Sequence, residues 1–450
     1  MNKIAIPDAV PVLNFESFLG RVDMIFTQAF TFLGDIDSEI IEKSYRSVVS
    51  NISKFSCRQH SDVGTEMSWV ENTKTSCWFE CVTSLYPEES VKKYSAYCYE
   101  NMRGSGLAVP LALIVINDQE GSGFTLALMS DHAYVDAQSS NHILNLIVRM
   151  YNALTGGLPD EVVDTETAAR QLHTLGAMAF VSESPKALSS ELHTKNIELV
   201  AQYPVVTHPA IDITDAIFKE FIDRIRVPSV ATYGINRFIR HYRSQKKYQH
   251  LSKNSIISAV LAKSYSYIDP KIVNANRGEI SFGVAVSLPT DKQREKICGN
   301  YVVTVTVTVE VINCSLMEIA ESIQDRIQEF KLSNQMLSRF LMREEYFGEE
   351  LVAIKDPHAF YVTNWTNQSL RTKKLEINGC NYIKQLGLLN VNPESKTEAS
   401  YVNKQGIIIC LSPNDELSIS LTPSVTKQGN IDKILSIFPW VIDESLKLEG

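Results

Sequence analysis

The 450-residue sequence has no run of about 18 consecutive apolar residues, the length a helix needs to cross a bilayer, so a membrane-spanning chain is not expected. Residues 1–8 lack an apolar stretch followed by small residues, and export by a secretory signal is not expected either. Cysteine is scarce, with 8 residues, too few for a disulfide scaffold. Cys77 and Cys81 form a lone Cys-x3-Cys without a second pair at zinc spacing, so reduced thiols in a cytoplasmic protein are the expectation, with no metal. Positive charge is in deficit: 43 basic against 52 acidic residues leave a net charge of −9 and no global field to gather phosphates, which argues against a nucleic-acid binder. Gly-x-Ser-x-Gly, the phosphate-loop signature, His-Glu-x-x-His and Gly-x-Gly-x-x-Gly are all missing. Serine hydrolases, P-loop nucleotide hydrolases, zincins and Rossmann enzymes lose their support accordingly. No period of 20 to 50 residues recurs, which sets aside solenoids and propellers.

What the sequence does have is an ordinary globular composition, 44% hydrophobic and 21% charged, in a length that suits two domains of about 200 residues. An apolar run at 26–33 ends at Gly34-Asp35 and is followed by Ile36, Ile40, Ile41, Tyr45, Val48, Val49 and Ile52 at helical spacing, a strand and then a helix. Runs at 111–116 and 124–129 around a polar turn predict an antiparallel hairpin, and an apolar stripe at 143–154 predicts a helix closed by Gly156-Gly157 and Pro159. Further on, 252–267 reads as a helix, 280–286 and 301–311 as strands, and Ser315-Leu316-Met317-Glu318 as a capping box opening another helix. Val303, Val305, Val307 and Val309 alternate strictly with Thr304, Thr306 and Thr308, the pattern of a strand with one buried face. Runs at 406–411 and 417–421 predict a late hairpin. The expected division is 1–185, a crossover linker at 186–215, and 216–450, each large part mixing helices with a mostly antiparallel sheet.

One motif carries chemistry. His132-Ala133-Tyr134-Val135-Asp136 follows a buried strand and precedes a helix. An imidazole titrates near neutral pH and needs a fixed tautomer to act as a general base, and a nearby carboxylate can hold its loop. With 9 histidines, chance alone gives on the order of 0.4 matches to His-x3-Asp. On the residues alone His132 can equally be a satisfied core histidine and Asp136 the cap of the following helix. His142, on that helix, reads as a polar surface residue and is given no role.

The surrounding pattern narrows the choice. Val109-Pro110-Leu111-Ala112-Leu113, then Gly123-Phe124-Thr125-Leu126-Ala127-Leu128, His132-x3-Asp136 and Ile143-Leu144 together resemble the active-site hairpin of one superfamily. This is the group of chloramphenicol acetyltransferase, the BAHD acyltransferases and the condensation domains of peptide synthetases. Residues 30–58, the helix at 252–267, Gly299-Asn300 and Val362-Thr363-Asn364-Trp365 are similar to its further elements, in the same order. Ala137 stands where a glycine usually follows the motif, Asp131 where condensation domains carry a second histidine, and the BAHD Asp-Phe-Gly-Trp-Gly has no counterpart at 375–380. Nor is the arginine that often pairs with the motif aspartate recognisable near Ser287-Leu288-Pro289-Thr290. The resemblance is therefore to the superfamily and not to its plant branch.

The resemblance implies an α/β (α+β) fold of two similar subdomains, mostly antiparallel sheets flanked by helices, with a channel at their interface and His132 at its centre. It implies an acyltransferase working on groups other than aminoacyl, by direct transfer from acyl-CoA or an acyl-phosphopantetheine to a hydroxyl or amine of a small metabolite. No bound cofactor is then expected. His132 would be the base and Asp136 the holder of its loop, and Asn300 or Trp365 would serve the substrate or its oxyanion. By residue type alone, Asn300 can instead be a turn residue and Trp365 core packing. The basic stretch Arg237, Arg240, Arg243, Lys246, Lys247 and Lys253 is either a solvated helix face or a surface for coenzyme or carrier phosphates. A monomer is expected. Two further readings stay open, a condensation or ester-forming enzyme dependent on an acyl or peptidyl carrier protein, and a catalytically silent binding member of the fold.

Overall fold

The computed structural model describes residues 10–11, 25–60, 68–71, 77–104, 109–174, 233–268, 270, 277–289, 291–332, 358–365, 375–390, 405–411, 417–422, 437–442 and 444–445. The elements in chain order are β1 (Val10–Pro11), β2 (Ile25–Leu33), α1 (Ser38–Ser50), β3 (Cys57–His60), β4 (Ser68–Glu71), β5 (Trp78–Ser84), α2 (Pro87–Gly104), β6 (Leu111–Asp118) and β7 (Gly123–Asp131). There follow α3 (Ala137–Thr155), α4 (Pro159–Gln171), α5 (Tyr233–Ser244), α6 (Lys253–Ile268), β8 (Glu279–Ser287), α7 (Asp291–Arg294), β9 (Val302–Glu310) and α8 (Leu316–Leu332). Last come β10 (His358–Asn364), β11 (Asn381–Asn390), β12 (Gln405–Leu411) and β13 (Leu417–Thr422). The linker expected at 186–215 lies outside the described residues.

Two five-stranded sheets form the frame, in the orders β11-β2-β7-β6-β5 and β13-β12-β10-β8-β9, beside a small β1-β4-β3 sheet. In the first, β6 and β7 form the antiparallel hairpin expected from the sequence, and only the edge pair β5 and β6 is parallel. Nearly every residue of β6 and β7 is buried. Leu111, Leu113, Leu126 and Leu128 join one apolar cluster and Ala112, Ile114, Ala127 and Met129 another, one on each face of the sheet. A sheet covered on both faces has no polar face to show, which is why these strands read as continuous apolar runs.

The second sheet is mixed, where the sequence pointed to a mostly antiparallel one. β9 and β13 pair antiparallel to β8 and β12, but β10 runs parallel to both β8 and β12. On β9 the four alternate valines are buried, and Thr308 faces solvent. The capping box also forms: Glu318 accepts from the Ser315 backbone N–H at 2.8 Å, and the Glu318 N–H reaches Ser315 Oγ at 3.3 Å.

The halves are laced together by β11. Although it lies late in the chain, it pairs antiparallel with β2 from Asn381 to Asn390, inside the first sheet. Register in that sheet leaves little slack at Gly123, where a Cβ would stand 2.6 Å from the Phe32 carbonyl oxygen on the neighbouring β2. Gly123→Ala is expected to lower the urea midpoint, at a cost of ~1–3 kcal/mol typical of overpacking. An unchanged midpoint would show that β2 and β7 can separate freely there.

Candidate active site

β7 ends at Asp131, and the next five residues make a tight turn into α3. Asp131 organises it: its side chain accepts from the Ala133 N–H at 2.9 Å, and its carbonyl accepts from Tyr134 and Val135 at 3.0 and 3.4 Å. Tyr134 anchors the outer side, donating its hydroxyl to the Cys57 carbonyl at 2.9 Å while its ring packs on Trp69 at 4.6 Å. The turn thus has one shape, and it places His132 at the strand end.

Asp136 closes the turn as the N-cap of α3. Its Oδ1 accepts from the N–H groups of Gln138 and Ser139 at 3.1 and 2.7 Å, which satisfies two of the helix's otherwise unbonded donors. Its Oδ2 reaches across the chain to the N–H of Tyr301 at 3.3 Å. The Gly299 carbonyl answers by accepting from the Asp136 N–H at 3.1 Å and from Ser139 Oγ at 3.0 Å. Residues 299–301 are therefore fastened to the start of α3, although 160 or more positions separate them in sequence.

Between them sits Asn300, fully buried. Its side-chain amide donates to the His132 carbonyl, which brings the amide nitrogen to 2.9 Å from His132 Nδ1. The imidazole stands edge-on to Phe26, with centroids 4.8 Å apart and planes at 64°. Trp365, which follows β10, packs on the same phenylalanine at 6.0 Å. His132, Asp136 and Asn300 come together as one hydrogen-bonded group, while the ring contact of Trp365 is with Phe26. Phe26 and Tyr301 were not singled out from the sequence, and Gly299 only as half of the Gly299-Asn300 pair. Phe26 belongs to an ordinary apolar run, and the other two act through their backbone.

Burial pushes the His132 pKa down to about 4 from 6.5. The Asp136 charge and hydrogen bonds from the ring to the carbonyls of His132 and Val135 oppose the shift without reversing it. The imidazole is therefore neutral at pH 7. A neutral imidazole in a dry setting, with its ring and main chain both held, can take a proton from a bound hydroxyl or amine. Among the described residues no group of three or more His, Cys, Asp and Glu side chains could hold a metal ion, and no helix is long and apolar enough to cross a membrane.

No family model matches the sequence, and no curated protein matches it either. Solved structures do. Polyketide synthase associated protein 5 from Mycobacterium tuberculosis superposes with a TM-score of 0.61 at 13% identity, covering 97% of this chain and 99% of that one. The first condensation domain of the calcium-dependent antibiotic synthetase, solved with a substrate analogue, gives 0.62 at 11% identity, covering 98% and 97%. The chain has the condensation-domain fold. A mutant starter condensation domain of rhizomide synthetase, in complex with C8-CoA, is similar over 97% of this chain and 95% of its own, with a TM-score of 0.60 at 10% identity. At these identities the likeness is one of architecture, with two subdomains, each a sheet with helices, as the condensation-domain fold requires.

The depressed histidine has a consequence for stability. Between pH 6.5 and about 4 the unfolded chain binds a proton at His132 that the folded chain refuses, so stability falls as pH drops through that window. The loss approaches ~3 kcal/mol at its acid end. His142, whose pKa is also lowered by burial, acts in the same direction. Urea titrations from pH 8 to 4 are expected to show this fall, flattened in His132→Asn. Equal pH slopes in both proteins would contradict a buried neutral His132.

Proposed function

We propose that this protein is an acyltransferase that moves an acyl group from a thioester to a hydroxyl or amine of a small molecule, with His132 as general base. The observation that carries the reading is the neutral His132, whose turn is capped by Asp136 and whose carbonyl is held by Asn300. With the Nδ1 proton donated to the main-chain carbonyls of His132 and Val135, Nε2 is the nitrogen that takes the acceptor's proton as the acceptor oxygen or nitrogen attacks the thioester carbonyl. Collapse of the tetrahedral adduct breaks the carbon–sulfur bond, and the imidazolium returns the proton to the departing thiolate. Holding both substrates beside one base supplies much of the rate through orientation.

Asp136 touches neither substrate in this scheme; its bonds to three backbone N–H groups keep the turn in place. Asn300 is turned toward the ring and carbonyl of His132, which supports a positioning role over the oxyanion contact the resemblance suggested. Trp365 packs on Phe26 and supports a role in the apolar wall behind the ring. The donor thiol is coenzyme A or a carrier's phosphopantetheine. The C8-CoA bound to the rhizomide domain speaks for the first, and the synthetase setting of the structural neighbours speaks for the second. Arg240, Arg243, Lys246 and Lys247, exposed at the end of α5 and just after it, suit an acidic carrier.

Thiol release from octanoyl-CoA and acetyl-CoA, with and without pooled alcohol and amine acceptors, tests the reading. Acceptor-dependent release is expected in wild type, with a loss of ~10²- to 10⁴-fold in His132→Ala. A wild type inert with coenzyme A thioesters but active with a carrier-borne acyl group would select the carrier-dependent enzyme. Undiminished turnover by His132→Ala would refute the assignment of the base.

A further inference from the structure

One face of α3 carries Gln138, Asn141, His142 and Asn145, at i, i+3, i+4 and i+7. On a surface helix such a row would be solvated. Here Asn141 is 4% exposed, and the other three are partly buried. Each holds an enclosed polar atom without a hydrogen-bond partner: Gln138 Oε1, Asn141 Oδ1, His142 Nε2 and Asn145 Oδ1. Enclosed polar groups are nearly always bonded in folded proteins, so four in succession along one helix face require an explanation.

The next members of the same face lack this property. Arg149 pairs with Glu161 at 2.8 Å, and Asn152 Oδ1 accepts from the Asn378 N–H at 3.0 Å. The row is confined to the first two turns of α3, the end fastened to Gly299 beside the His132 turn. Its chemistry is one-sided. Three of the four atoms are amide oxygens, which only accept, and the charge felt at His142 is that of Glu295. Burial lowers the His142 pKa, so the fourth atom belongs to a neutral imidazole at pH 7. Seven residues of helix span about 10 Å, with one turn about every 5 Å. The unpaired atoms of the row are thus three amide acceptors and one imidazole nitrogen, in a weakly negative setting.

Resting on the acyltransferase reading, we propose that Gln138, Asn141, His142 and Asn145 form a substrate subsite beside the His132 turn for a group rich in N–H or O–H donors. Donors spaced one helix turn apart along an extended chain would meet successive members. Two sources share this chemistry: the acceptor substrate, as a polyamine, or the acyl chain of the thioester, as a hydroxylated one. Unpaired enclosed acceptors do nothing for folding, and exchanging them for apolar groups of similar shape is close to neutral or stabilising. On this account the polar row serves binding and adds nothing to stability.

The test compares wild type with Asn141→Leu/Asn145→Leu, full-length, by calorimetric titration and thermal melting. The probes are spermidine for the acceptor source, and 3-hydroxyoctanoyl-CoA against octanoyl-CoA for the acyl source. Wild type is expected to bind spermidine, or to prefer the hydroxylated thioester, with the double variant at least tenfold weaker for that probe. Its octanoyl-CoA affinity and melting temperature should be equal to or above those of wild type. Absence of any donor preference in wild type, or its survival in the double variant, would overturn the proposal and leave the row as a site for water alone. Should the double variant not fold, Asn145→Leu is read by the same criteria. Failure of octanoyl-CoA to bind either protein would count against the coenzyme A reading, while the spermidine arm still reports on the row.

Discussion

The Asp136 carboxylate, 2% exposed, accepts from the N–H groups of Gln138 and Ser139 at the start of α3 and of Tyr301 just before β9. A buried carboxylate is tolerated only where donors meet it, and here both halves of the chain supply them. Among the described residues it pairs with no arginine; backbone N–H groups and the helix N-terminus take that part. Because the donors are main-chain groups, the junction fixes the paths of 131–136 and 299–301 rather than the pose of one flexible side chain. Asn300 reaches His132 because its neighbours on both sides are bonded to Asp136.

The junction sits within a larger lacing. β11 extends the first sheet from the second half of the chain, and Cys298, Trp365, Leu375 and Ile377 join the same apolar cluster as Phe26, Leu113 and Leu128. An imidazole held between two bodies that slid past one another would lose its orientation, and one built on a shared strand and a shared core keeps it. Phe26 joins the frame to the candidate site: it lies on β2, the strand that β11 pairs with, and its ring touches both His132 and Trp365.

Much of this frame is legible in the residues, and the reasons are local. The hairpin of β6 and β7 announces itself by its apolar runs, β9 by its alternating valines, and α8 by its capping box, because each pattern is a direct consequence of burial period or cap chemistry. Strand β5, with Glu80 inside it, and helix α2, with a weak apolar stripe, carry no such signal and escaped the reading. β11 escaped for another reason. Its sequence, with Lys384 and Gly387, is ordinary, and its partner β2 lies some 350 positions away, so only tertiary pairing defines it. The same holds at the site. His132 and Asp136 are visible as a short local motif, whereas the roles of Gly299 and Tyr301 reside in backbone groups that residue identity does not disclose. His142, read as a surface residue, proves partly enclosed because residues far along the chain cover the first turns of α3.

The central claim is that the fold delivers a neutral imidazole with Nδ1 committed to the protein and Nε2 available as the base. Long-range nitrogen–proton correlation spectra of the ¹⁵N-histidine protein, with His132→Asn to assign the resonance, measure this directly. A proton on Nδ1 and none on Nε2, unchanged from pH 8 to well below pH 6, is the result expected from a pKa near 4. A proton on Nε2, or a doubly protonated ring at pH 7, would make His132 a donor and contradict the account.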